Sequence, residues 1–146
     1  MDSKVIIERP VEEVFGFVVD PSNIPSIDPS VQSVEKSSEG ALDAGTTFRM
    51  RRKAPLLGKA REASMRCTAV EPNRRIELEA ITGPITPAAS LTFERADGGT
   101  RVRFRGEQNQ VEPLKVLSPL STRQEQNMWD KRLARLKSTL EAPQGH

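Results

Sequence analysis

Arg101–Gln108, RVRFRGEQ, alternates without a break: Val102, Phe104, Gly106 and Gln108 face one way, Arg101, Arg103, Arg105 and Glu107 the other. One apolar side and one charged side at a period of two is the pattern of a half-buried strand. Upstream the same reading recurs. Ala89, Leu91 and Phe93 alternate with Ser90, Thr92 and Glu94, and Arg75–Ala80 sets Ile76, Leu78 and Ala80 against Glu77 and Glu79. Lys59–Val70 places Ala63, Met65, Cys67 and Ala69 on the apolar side, and Thr46–Arg52 places Phe48 and Met50 there. Val31–Lys36 reads as a strand, regular or bulged, since Val31 and Val34 lie on opposite sides of a strict alternation. Six such runs, each with one wet face, predict an antiparallel meander.

Outside the meander the period changes. Ser3–Glu8, SKVIIE, reads as a further strand, and Pro10 as the first residue of a helix with Glu12 and Glu13 in its first turn. Val11, Val14, Phe15 and Val18 share one face of that helix, which must stop near Asp20-Pro21. Asp20–Pro29, with three prolines, has room for no more than a turn or two of helix. In the C-terminal third Trp129, Leu133, Leu136 and Leu140 form a narrow helical stripe. Thr122 and Glu125 fit a capping box for it; the alternative is an earlier start near Pro113 with a bend at Pro119. Lys131, Arg132, Arg135 and Lys137 lie towards its C-terminus, where the helix dipole favours cations. The expected fold is α+β: about seven antiparallel strands, short helices between the first and second, and a long closing helix over the dry face. The 146 residues are expected to form one domain, with 142–146 as a frayed tail.

Composition narrows the chemistry. Hydrophobic residues make up 36% and charged residues 29%, a globular balance, and no apolar run is long enough to span a bilayer. The N-terminus lacks the layout of a secretory signal, so a cytoplasmic location is expected. With 22 basic and 20 acidic residues the net charge is +2, too small for a nucleic-acid partner. The single Cys67 excludes an internal disulfide and a cysteine-based zinc site. There is no tyrosine, and the only histidine is His146, so a histidine triad or histidine-ligated metal is not expected, nor is a cofactor.

In a meander, successive turns alternate between the two ends of the sheet. Ser37–Gly45, Glu71–Arg74 and Ala96–Gly99 fall at one end and are polar. Lys53–Gly58, Ile81–Pro87 and Asn109–Leu120 fall at the other and carry Leu56, Leu57, Ile81, Ile85, Val111, Leu114, Val116, Leu117 and Leu120. Apolar loops gathered at one end suit the rim of a pocket for an apolar ligand, or a plug for the end of the barrel.

The order RPVEEVFGFVVDPSNIPSIDPSVQSVE, AGTTFRM, AVEPNRRIELEA, FERADGGTRVRFRG and a long final helix resembles the START-like (SRPBCC) superfamily, in its polyketide cyclase/dehydrase-like branch. The resemblance covers Lys4 to Glu141 and is carried by a fold pattern rather than a catalytic signature. It implies the helix-grip fold, a curved sheet around the C-terminal helix with an apolar cavity between them. Its mouth would lie at the connections after the third and fifth strands and before the final helix. Many relatives carry a tryptophan where this chain has Ile27, so no ligand contact is borrowed from that position.

The candidate ligand-binding set is Phe48, Met50, Leu56, Leu57, Met65, Leu78, Ile85, Leu91, Phe93, Phe104, Gln108, Leu117 and Trp129. Ordinary core packing is the competing reading for most of these, and the preferred one for Leu133, Leu136 and Leu140. Gln108 is an amide on an apolar face, so it needs helix, water or ligand as partner. Cys67 reads as a small buried apolar residue, not a nucleophile. The run Arg49, Arg51, Arg52, Lys53, Lys59 and Arg61 contains no acid between Thr47 and Arg61. It reads as a solvated strand face, or else as a weak contact with an anionic membrane surface or a ligand carboxylate.

Three functions compete. Binding or carrying a small hydrophobic molecule of lipid, polyketide or aromatic type leads, because apolar walls are present and acid/base residues scarce. A polyketide cyclase or dehydratase needs a tuned base, for which Glu125 is the candidate, with Glu112 and Glu107 behind it. A membrane- or macromolecule-associated adaptor rests on the basic hairpin alone. Oligomeric state and ligand identity are not written in the sequence.

Overall fold

The computed structural model describes residues 2–37, 40–52, 61–82, 88–106 and 119–142, leaving out the side chains of Arg61, Thr82 and 119–125. The elements are β1 (Asp2–Ile7), α1 (Val11–Val18), a 3-10 turn (Pro21–Asn23), α2 (Ile24–Ile27), β2 (Val31–Lys36), β3 (Thr47–Arg52), β4 (Arg61–Glu71), β5 (Arg75–Thr82), β6 (Ala88–Ala96), β7 (Gly99–Gly106) and α3 (Pro119–Glu141). All seven strands join one antiparallel sheet in the order β1-β7-β6-β5-β4-β3-β2. The sheet curves around α3. Bulges supply part of the bend, because an unpaired extra residue raises local twist. The irregularity in β2 falls between Val31 and Ser33, and it turns both Val31 and Val34 towards the core. Two more lie in the β4–β5 pairing, one between Cys67 and Ala69. That second shift corrects the alternation read from sequence: Val70, not Ala69, packs on the core.

α1 begins one residue later than expected. Pro10 is extended (φ −60°, ψ 149°) and caps the helix, its carbonyl accepting from Glu13 N and Val14 N at 3.0 and 3.1 Å. Val11, Val14 and Phe15 are buried as the spacing predicts. The helix stops where Val19 N donates to Phe15 O, and Asp20 then caps the 3-10 turn through Ser22 N at 3.0 Å. α3 already includes Pro119, so Thr122 lies inside the helix and not at its cap; proline suits a first turn that needs no amide donor. Nor does α3 cover the dry face alone. α1 closes on β6 and β7, with Phe15 meeting Phe93 edge-on at a centroid distance of 5.3 Å.

The grip is made by contacts from α3 to both edges of the sheet. Along β1, Gln126 Nε2 donates to Asp2 O (2.6 Å), Ser3 Oγ to Asp130 Oδ1 (2.5 Å) and Lys137 Nζ to Ile6 O (2.8 Å). At the helix C-terminus Arg9 Nε donates to Leu140 O (2.9 Å) and Glu8 N to Glu141 Oε2 (2.7 Å). These bonds also occupy backbone groups of an edge strand that would otherwise be open to pairing. At the opposite edge α3 meets α2, just before β2. The β6–β7 turn uses Asp97 (φ 47°) and Gly98 (φ 80°), the left-handed pair that matches strand twist. At Gly99 a Cβ would come within 2.3 Å of Ile7 O, so the close passage of β1 requires glycine there.

Candidate functional site

The ladder of α3–β1 contacts and the strand order define two ends of the interior. At one end stand Ile7, Thr100, the β6–β7 turn and the C-terminus of α3. At the other stand Asp2, Gly106, Ala88, Thr82, Arg61 and Arg52. The connections between β3 and β4, β5 and β6, and β7 and α3 leave from this second end. Their residues, including the candidate ligand contacts Leu56, Leu57, Ile85, Gln108 and Leu117, lie outside the described residues.

Burial changes from one end to the other. On β5 Ile76 is 1% exposed, whereas Leu78 and Ala80, the next two positions on the same face, are only half-buried. On β6 Phe93 is 4% exposed, whereas Leu91 and Ala89 are again half-buried. Leu78 pairs with Ala89, and Ile76 with Leu91, so these partly covered side chains form one contiguous wall. α1 covers the end marked by Phe93, while α3 runs close to β1 and α2. On the α3 side Trp129 is half-buried and stacks on Phe104, the rings 3.5 Å apart and 11° from parallel.

The remaining described candidates, Phe48, Met50, Met65 and Phe104, are all buried in the core that also holds Leu133, Leu136 and Leu140. Ala80 and Ala89, which the alternation placed on the apolar face, were left out of the candidate set because their small side chains signal little by themselves. Glu125 lies in α3, but its side chain is outside the described residues. Cys67 is fully buried, and burial pushes its thiol pKa up, the opposite of what a nucleophilic thiolate needs. A surface hollow of about 390 Å³ lies beside Thr68, Glu77, Glu79, Ser90 and Arg105 and is lined by Leu78 and Ala89 as well.

Sequence reasoning also missed a buried charge cluster. Arg132, read above only as a cation towards the helix C-terminus, is 8% exposed and pairs with Asp28 at 2.8 Å. A signal was present: position 132 stands three after Trp129 and four before Leu136, inside the apolar stripe. Arg52 turns in to the same carboxylate oxygen at 3.4 Å, whereas Arg49 pairs outward with Glu35. Burial pushes the Asp28 pKa up, but the Ser30 hydroxyl and the two guanidinium charges outweigh it and hold the carboxyl below its ordinary value. Burial in turn lowers the pKa of Arg132.

A curved antiparallel sheet gripping a terminal helix, with an apolar wall left half-covered between them, defines the helix-grip class of START-like proteins. Within that class the chain belongs to the family described as polyketide cyclase / dehydrase and lipid transport, whose profile matches residues 1–141. No curated protein matches it. Among solved structures it is similar to TTHA0849 of Thermus thermophilus, with a TM-score of 0.75, 19% identity and 99% of each chain covered. It is also similar to Ara h 8.0201 (TM-score 0.70, 15% identity, 98% of this chain and 97% of that one). A third is the Aha1 dimer of Colwellia psychrerythraea (TM-score 0.66, 17% identity, 99% and 98%). At such identities the likeness is one of fold.

Proposed function

We propose that the protein binds or carries a small hydrophobic molecule, of lipid, polyketide or aromatic type, between the sheet and α3. The observation that carries this reading is the burial gradient: Leu78, Ala80, Ala89 and Leu91 face the interior yet stay half-buried, while Ile76 and Phe93 on the same face are sealed. Apolar surface left open in this way costs free energy that a ligand recovers, at about 0.8 kcal/mol per buried methylene. Shape and apolar area would then dominate affinity. Family membership supports the same reading, since its description joins cyclase and dehydrase chemistry with lipid transport.

Native mass spectrometry of freshly purified protein tests it, with a co-purified small molecule as the expected result. Leu91→Trp, which fills the wall, is expected to abolish the adduct while the protein stays folded. An adduct that persists in Leu91→Trp would place the ligand elsewhere.

A further inference from the structure

The Asp28–Arg52–Arg132 cluster holds more positive charge than its place in the fold requires. Arg132 Nη2 lies 2.8 Å and Arg52 Nη1 3.4 Å from Asp28 Oδ2. Asp28 Oδ1 accepts from Ser30 N at 3.1 Å and from Ser30 Oγ at 2.6 Å. Both carboxylate oxygens are therefore engaged, and among the described residues two guanidinium groups share one negative charge. The buried Nε atoms of Arg52 and Arg132 have no hydrogen-bond partner among the described residues. A latch between α3 and α2 needs one arginine and one aspartate. The second cation and the two unmatched donors exceed that need, and buried donors and charges are ordinarily matched.

Position supplies the missing partner's chemistry. Arg52 is the last residue of β3, at the half-open end of the interior. The Arg132 guanidinium lies 4.6 Å from the ring centre of Trp129, which stacks on Phe104. Resting on the ligand-binding reading above, the geometry points to an anion subsite: Arg52 and Arg132, bridged by Asp28, receive the carboxylate of an otherwise apolar ligand whose chain lies against Leu78 and Leu91. A second carboxylate makes the set neutral. Guanidinium–carboxylate bonds are among the strongest available in such a site. The ligand class thereby narrows from any hydrophobic molecule to an amphipathic acid.

Trp129 is the only tryptophan and touches the cluster, so its fluorescence reports occupancy. The full chain is titrated with dodecanoate and with dodecanol, which has the same chain and no charge. Dodecanoate is expected to bind at least about tenfold more tightly, the scale of one charge-assisted contact. Arg52→Gln removes the surplus charge but leaves the 2.8 Å pair in place, and is expected to erase most of that preference without changing dodecanol binding. Asp28→Asn enlarges the surplus and is expected to tighten dodecanoate, whereas a purely structural cluster would give weaker binding in both variants. Equal affinity for acid and alcohol, or a preference that survives Arg52→Gln, overturns the subsite and leaves the hydrophobic cavity standing. Binding of neither probe overturns both. Should Asp28→Asn fail to fold, Arg52→Gln alone decides.

Discussion

The two ends of the interior use the same kinds of side chain to opposite effect. At the α1 end Phe93 is met edge-on by Phe15, and Ile76, Phe93 and Val102 lose nearly all contact with solvent. At the other end Leu78 and Leu91 stand on the same strands, two residues along the same face, and stay half-buried. Hydrophobicity does not separate them. What differs is the element opposite: α1 lies across one end, while α3 is drawn to the two edges of the sheet by hydrogen bonds and by the Asp28–Arg132 pair. One end is a core, and the other is an apolar wall that stays half-buried.

If that contrast is right, truncation must cost more at the sealed end. Phe93→Ala is expected to destabilise by about 3–5 kcal/mol in denaturant unfolding, and Leu91→Ala by less than about 2, because partly solvated atoms leave no closed cavity. Equal losses would break the comparison. Asp28→Ala, at the junction of α2 and α3, is expected to cost about 3 kcal/mol by leaving two guanidinium groups without their carboxylate, and the same measurement checks it. Enlargement reverses the test. Val102→Leu should overpack the core at a cost of about 1–3 kcal/mol, whereas Ala89→Leu should cost under about 1 and weaken binding of an apolar probe instead.

The smallest effect is in the pH profile. The folded pKa of Asp28 is lowered, so the stability from its ionised form is present above the unfolded carboxylate pKa of about 4 and is lost as pH falls towards the folded value. Acid titrations of wild type and Asp28→Asn should therefore diverge above that range and converge below it. Parallel curves would mean that the cluster does not tie α3 to α2.

Much of this was legible in the chain, and the exceptions have physical reasons. The β2 bulge was visible as an option because Val31 and Val34 cannot share a face without it, and Pro10 with Glu12 and Glu13 marked the start of α1 to within a residue. The β4 bulge was not visible, since Ala69 and Val70 are both acceptable on an apolar face and only pairing with β5 chooses Val70. The burial of Arg132 was not legible, because a lone cation in an apolar stripe ordinarily extends its stem and keeps its charge in water. Its partner lies more than a hundred residues away, in a proline-rich segment whose path no local pattern fixes.

By itself the sequence determined which residues alternate, where the helices lie and which side of each strand is apolar. Those are local properties, set by periods of two and 3.6 and by proline and glycine geometry. Only the tertiary structure decided which part of the apolar face is core and which is wall, and that two arginines share Asp28. Both depend on how far α3 stands from each strand, and that spacing is set by contacts between residues remote in the chain.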